Sequence, residues 1–125
     1  MSKKYLAAAL LAAAAAVTVL PATAQASPSI ACAYDRPCIK DLYMTDAGLY
    51  VGWDGQDSYD HYNFRWSRPG RAESQHEIRG GSAGGTTIKN AWSGTTYTVK
   101  VQGCDTDFFG SSTCTTWEER WITTP

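Results

Sequence analysis

Beyond its N-terminal segment the chain has no long apolar run and no stretch in which apolar residues recur at helical spacing, which excludes an all-helical fold. It is also short of positive charge. Residues 27–125 hold nine Lys and Arg against twelve Asp and Glu, a formal charge of −3. Nucleic-acid binders are usually basic, so that partner class drops out. Histidine is scarce and there is no Cys-x-x-Cys pair, which removes the commonest zinc signature.

The one apolar run stands at the start. Lys3 and Lys4 precede an almost wholly apolar segment from Tyr5 to Leu20, and Ala24-Gln25-Ala26 places small residues where a signal peptidase reads. The run spans about 16 residues before Pro21, short of the roughly 20 that cross a bilayer. Residues 1–26 are therefore expected to be a signal peptide cleaved near Ala26. That leaves a 99-residue domain over 27–125, expected to be secreted, monomeric and free of any membrane segment.

All four cysteines, Cys32, Cys38, Cys104 and Cys114, lie in the exported part, where an oxidising compartment makes disulfides of them. Three pairings are open. The spacing favours Cys32 with Cys38 and Cys104 with Cys114, because each pair closes a short loop and the two pairs sit at opposite ends of the chain. Gaps of five and nine residues do not suit zinc, and no metal or cofactor is expected.

Short alternations of apolar and polar residues, separated by Gly, Pro, Asp and Ser clusters, read as strands. Leu49, Val51 and Trp53 share one face of a first strand, ended by Asp54-Gly55. Tyr62, Phe64 and Trp66 share a face of a second, which Pro69-Gly70 turns, and Tyr97, Val99 and Val101 line a third. Weaker strands over 39–44, 73–78, 86–90 and 113–122 bring the number to seven, so the expectation is an all-β, two-sheet sandwich. The glycine-rich run over 79–85 is expected to be a mobile connection.

The stretch Trp92-Ser93-Gly94-Thr95-Thr96-Tyr97-Thr98-Val99-Lys100-Val101-Gln102 resembles the signature of a fibronectin type III domain, where a Gly-Thr turn precedes a tyrosine corner and an alternating strand F. Trp53 in strand B, Tyr62, Phe64 and Trp66 in strand C, and Gly110-Ser111-Ser112 in the F–G turn fit the same pattern, over roughly residues 39–123. The resemblance implies a seven-stranded, immunoglobulin-like sandwich that binds or spaces rather than catalyses. It implies a hydrogen bond from the Tyr97 hydroxyl to backbone near Trp92, and Cys104 facing Cys114 across the F–G hairpin. It also implies that the B–C and F–G loops emerge together, setting residues 54–60 beside residues 105–110.

Phe108 and Phe109 stand out at that end, because adjacent aromatics in a turn cannot both enter a core at period two, so at least one is exposed. With Tyr59, Asp57 and Asp107 they form the candidate contact set for an extracellular polysaccharide or protein. Asp54, Asp57, Asp60, Asp105 and Asp107 carry enough oxygens for calcium, but Asp54-x-x-Asp57-x-x-Asp60 is not an EF-hand loop and turns favour aspartate anyway. His61 and His76 read as surface histidines, and Glu118-Glu119 alternate faces on a strand, so no acid–base couple for an enzyme emerges. Trp117 and Trp121 share a face of the last strand, with core as the default and a flat stacking platform for a polysaccharide as the alternative. The expected function is a secreted, non-catalytic binding module. The second reading is a secreted inhibitor of extracellular proteases using the Cys104–Cys114 loop, with Phe108 or Phe109 as its anchor.

Overall fold

The computed structural model describes residues 23–26 and 32–125, so the apolar segment of the expected signal peptide lies outside the described residues. Among the described residues there are seven strands and no helix: β1 (Gln25–Ala26), β2 (Cys38–Thr45), β3 (Gly48–Arg68), β4 (Arg71–Lys89), β5 (Thr96–Thr106), β6 (Ser112–Cys114) and β7 (Glu118–Thr123). Every pairing is antiparallel, in the order β1-β7-β5-β3-β2, with β4 on β3 and β6 on β5. The sheet curls into a half-barrel. β1, which holds the last residues before the expected cleavage site, pairs with Ile122 and Thr123 at the edge of β7, its own side chains exposed.

The long β3–β4 hairpin organises everything else. Its turn is Pro69-Gly70, where Gly70 takes φ +79°, a conformation that only glycine adopts freely. The first half of β3 carries β2 on its free side and the second half carries β5, so the strand serves both arms of the curl. Asp54-Gly55 does not end the strand as the sequence suggests. The chain instead bulges between Asp54 and Tyr59, five steps on β3 against two on β4, with Gln56 at φ 60°. An odd excess of residues flips side-chain parity. Odd-numbered Leu49, Val51 and Trp53 and even-numbered Tyr62 and Phe64 thereby face one core, joined by Ile39, Ile88, Tyr97, Val99, Val101 and Ile122.

The glycine-rich run is not a mobile connection. Residues 79–85 belong to β4, and Gly84 and Gly85 lie opposite Trp53 and Gly52. The physical reason is close approach. A methyl group on Gly84 would sit 2.7 Å from Trp53 Nε1, and one on Gly85 would sit 2.6 Å from the Tyr50 hydroxyl on the other face. Gly103 is held in the same way under the Tyr59 ring. The strand expected over 113–122 is likewise divided. Thr115 Oγ1 accepts from Gly103 N at 3.1 Å, and Thr115 N donates to Gly103 O at 2.8 Å, which separates β6 from β7. Core is also the default expectation for Trp117 and Trp121, yet of the tryptophans only Trp53 is buried.

Cys32 pairs with Cys38 and Cys104 with Cys114, the latter two directly opposite each other on β5 and β6. The tyrosine corner is present: Trp92 N donates to the Tyr97 hydroxyl at 2.8 Å, and Tyr97 is 1% exposed. Its loss would strand a donor. Tyr97→Phe is therefore expected to destabilise by about 1 kcal/mol or more in chemical denaturation. An unchanged midpoint would mean that the corner contributes nothing.

Candidate functional site: the disulfide-stapled end

Three segments meet at one end of the half-barrel because each holds the next by a specific bond. Asp60 Oδ2 accepts from Thr106 N at 2.7 Å and Asp105 Oδ1 accepts from Asp60 N at 3.1 Å, which ties the β3 bulge to the end of β5. Gln56 Nε2 donates to the carbonyls of Ala33 and Arg36, which ties the bulge to the Cys32–Cys38 loop. Arg36 in turn pairs with Glu118 at 3.3 Å. Both disulfides lie in these segments, so the expected juxtaposition of residues 54–60 with 105–110 is present, although 54–60 is bulged strand rather than loop.

The tip of the β5–β6 hairpin is built by one aspartate. Asp107 Oδ1 accepts from Phe109 N and Ser111 N, each at 2.9 Å, while Gly110 N donates to Asp107 O at 3.0 Å and Gly110 takes φ +85°. Closing the turn on Asp107 throws Phe108 and Phe109 outward, 97% and 88% exposed, with ring centroids 5.5 Å apart and planes at 86°. Tyr34, on the neighbouring disulfide loop, is 94% exposed.

The other candidate residues divide by use. Tyr59 is half-buried, its ring against Gly103 and edge-on to Tyr62 at 5.7 Å. Asp57 is exposed and caps Ser58 N at 2.8 Å, as Asp54 caps Gln56 N at 2.8 Å. Asp54, Asp57 and Asp107 thus serve their own turns, and Asp60 and Asp105 bond across to each other's segments. Among the described residues no three of their carboxylates converge on a point; the one group of ligand-type atoms within 4.8 Å of one another is Cys32, Cys38 and Glu118, whose sulfurs are spent in a disulfide.

Trp117 and Trp121 face outward, Trp117 under the Arg65 guanidinium at 4.4 Å and Trp121 opposite Thr98 and 40% exposed. His61 stands opposite Cys104 and His76 is exposed on β4. Gly80-Gly81-Ser82-Ala83-Gly84 matches the Gly-x-Ser-x-Gly pattern by letter, but Ser82 sits inside strand β4 and no histidine bonds it. A nucleophile elbow needs a strand-to-helix turn.

Between β3, β4 and the segment before β5 lies an open concavity of about 640 Å³, with Phe64, Trp66, Ile88, Trp92 and Tyr97 among its walls and Arg68 and Arg71 at the hairpin end. Its only sequence signal was the pair of arginines around Pro69-Gly70.

No protein-family model matches the chain, and no curated protein is similar to it.

Burial, and after it the neighbouring Tyr59 and the charges of Asp54 and Asp57, push Tyr62 up to about 12 from the ordinary 10. Its hydroxyl donates to Gly81 O at 2.6 Å. Tyr59 is also raised, by burial first and then by Asp57, Asp105 and Asp35. The folded chain therefore holds a proton that the unfolded chain releases at pH 10, and the associated stability, complete below pH 10, is lost as pH rises towards 12. Urea midpoints are expected to fall across that range, and Tyr62→Phe to lessen the fall, with Tyr59 supplying the remainder. An equal fall in the variant would place the loss elsewhere.

Proposed function

We propose that this chain is a secreted, non-catalytic binding module of the fibronectin type III kind, whose contact residues are Phe108 and Phe109 at the tip of the stapled hairpin. The tyrosine corner supports the family reading, as does the division of the β3–β4 hairpin between two arms. In that reading β2 with the first half of β3 and the second half of β4 corresponds to one sheet of the sandwich. The first half of β4 with the second half of β3, β5 and β7 corresponds to the other. The paired disulfides and the N-terminal apolar run support export.

The exposure of two adjacent phenylalanines on a turn locked by Asp107 and by the Cys104–Cys114 bridge carries the proposal. Large apolar rings presented by a rigid turn lose little entropy on binding, and such rings are the usual anchors of protein interfaces. Rings at 86° to each other cannot both lie flat on one sugar face, so an extracellular protein with an apolar pocket fits the pair better than a polysaccharide does. Asp57, Asp60, Asp105 and Asp107 around the tip favour a basic rim on that partner. A polysaccharide would instead suit the outward Trp117 and Trp121. The turn closes on itself rather than running extended, which tells against a protease-inhibitory loop.

Binding should be measured against purified extracellular proteins, secreted proteases among them, and against insoluble polysaccharides. Replacing Phe108 and Phe109 by alanine is expected to weaken protein binding about 30-fold, roughly 2 kcal/mol, with an unchanged melting temperature. If the double variant binds as before and melts earlier, the pair is structural. Hydrolysis of any tested polymer would contradict the non-catalytic reading.

A further inference from the structure

The concavity lies at the opposite end of the fold from the stapled tip, lined by β3, β4 and the segment before β5. Aromatic rings and Ile78 share its walls with threonine and charged side chains, and its volume of about 640 Å³ lies within the roughly 300–1,000 Å³ typical of small-molecule sites. Its mouth is cationic. Arg68, Arg71 and Lys89 line it against the single carboxylate of Glu77, with His76 the other titratable group besides Tyr97.

The placement of the two arginines is the informative part. Arg68 and Arg71 are direct cross-strand partners at the end of the β3–β4 ladder, and like charges directly opposite destabilise a hairpin. No acid relieves them. Elsewhere Arg36 is matched to Glu118, Lys40 to Asp54, and both Arg65 and Lys100 to Glu73, while among the described residues Arg79 stands without a carboxylate. Among the described residues neither Arg68, Arg71 nor Lys89 has a carboxylate within ion-pair distance, although the described domain is acidic overall.

The arginines are oriented by rings instead. The Arg68 guanidinium lies 3.6 Å over Trp92 and that of Arg71 lies 4.6 Å over Trp66, which itself leans on Tyr97 at 5.8 Å. Arg71 also donates to Ser74 Oγ at 3.3 Å. A guanidinium stacked by its face keeps its in-plane N–H groups free for a planar anion, the geometry in which arginine reads carboxylate and phosphate.

We propose that this concavity binds a small amphiphilic anion, its apolar body against Trp66 and Ile78 and its carboxylate or similar anionic head between Arg68 and Arg71. The charge of the mouth, the apolar part of the wall and the two ring-held guanidiniums each suit one part of that ligand. The site is separate from the Phe108–Phe109 tip, so either stands if the other fails.

The test uses one apolar body with three head groups: 1-naphthoate, 1-naphthalenemethanol and 1-naphthylmethylammonium, titrated into the disulfide-bonded protein and followed by the indole N–H resonances of its tryptophans. Naphthoate is expected to bind at least about tenfold more tightly than the alcohol or the ammonium, a difference of about 1.4 kcal/mol, and to move Trp66 and Trp92 but not Trp117 and Trp121. The double variant Arg68→Gln, Arg71→Gln should abolish the preference for the anion. Lys89→Gln, on the far rim, should reduce it, and gives a reading even if the double variant fails to fold. Phe108→Ala with Phe109→Ala should leave it unchanged. Equal affinity for the three head groups, shifts confined to Trp117 and Trp121, or a preference that survives the arginine and lysine variants would each overturn the proposal.

Discussion

Four aromatic rings, Tyr59, Tyr62, Trp53 and Phe64, run down the inside of β3, with successive centroids 5.7, 5.4 and 5.9 Å apart, and rings that large leave no room for side chains on the strands beside them. The neighbouring strands answer with glycine. Gly84 on β4 lies against Trp53 and Gly103 on β5 against Tyr59, and within β3 itself Gly55 lies against the Tyr62 hydroxyl. Each aromatic pair contributes about 0.5–1.5 kcal/mol beyond its buried area, and a strand glycine costs up to about 1 kcal/mol. The exchange favours the fold only while the rings sit flush on bare backbone. Trp53 Nε1 shows how strongly packing dominates there, since this buried donor has no hydrogen-bond partner among the described residues.

That column separates the molecule into two working ends. At one, the β3 bulge required to keep both halves of the strand facing the core also pushes out Asp57 and Asp60, and Asp60 then captures β5 beside the stapled hairpin. At the other, the same hairpin closes at Pro69-Gly70 and leaves Trp66 half-buried at the mouth of the concavity. The outer face is closed by charge, with Lys100 bonded to Glu73 at 3.2 Å and Glu119 at 3.7 Å.

The core residues were legible because period-two alternation needs only local sequence: Leu49, Val51, Trp53, Tyr62, Phe64, Tyr97, Val99 and Val101 are all buried. Both disulfides followed from spacing, and the tyrosine corner from a familial pattern. What failed was the meaning of glycine. Read locally, residues 79–85 have the composition of a linker, and nothing local reveals that Trp53 and Tyr50, some thirty residues earlier, lie against them. The same limit hid the bulge, since Asp54-Gly55 signals a turn whether the chain reverses or only shifts register. That at least one of Phe108 and Phe109 is exposed was legible, because adjacent rings in a turn cannot both enter a core at period two; that both are exposed depends on the Asp107-closed turn. The concavity was not, because it joins residues from β3, β4 and the segment before β5 that no single stretch of sequence unites.

Residues 79–85 are packed strand, with Gly84 and Gly85 against the Trp53 and Tyr50 rings. Native-state amide hydrogen exchange on the oxidised protein tests it directly. The amides of 79–85 directed at β3 are expected to exchange as slowly as those of β5, through global unfolding alone. Exchange at the rate of an unprotected loop over 79–85, while β5 stays protected, would contradict it.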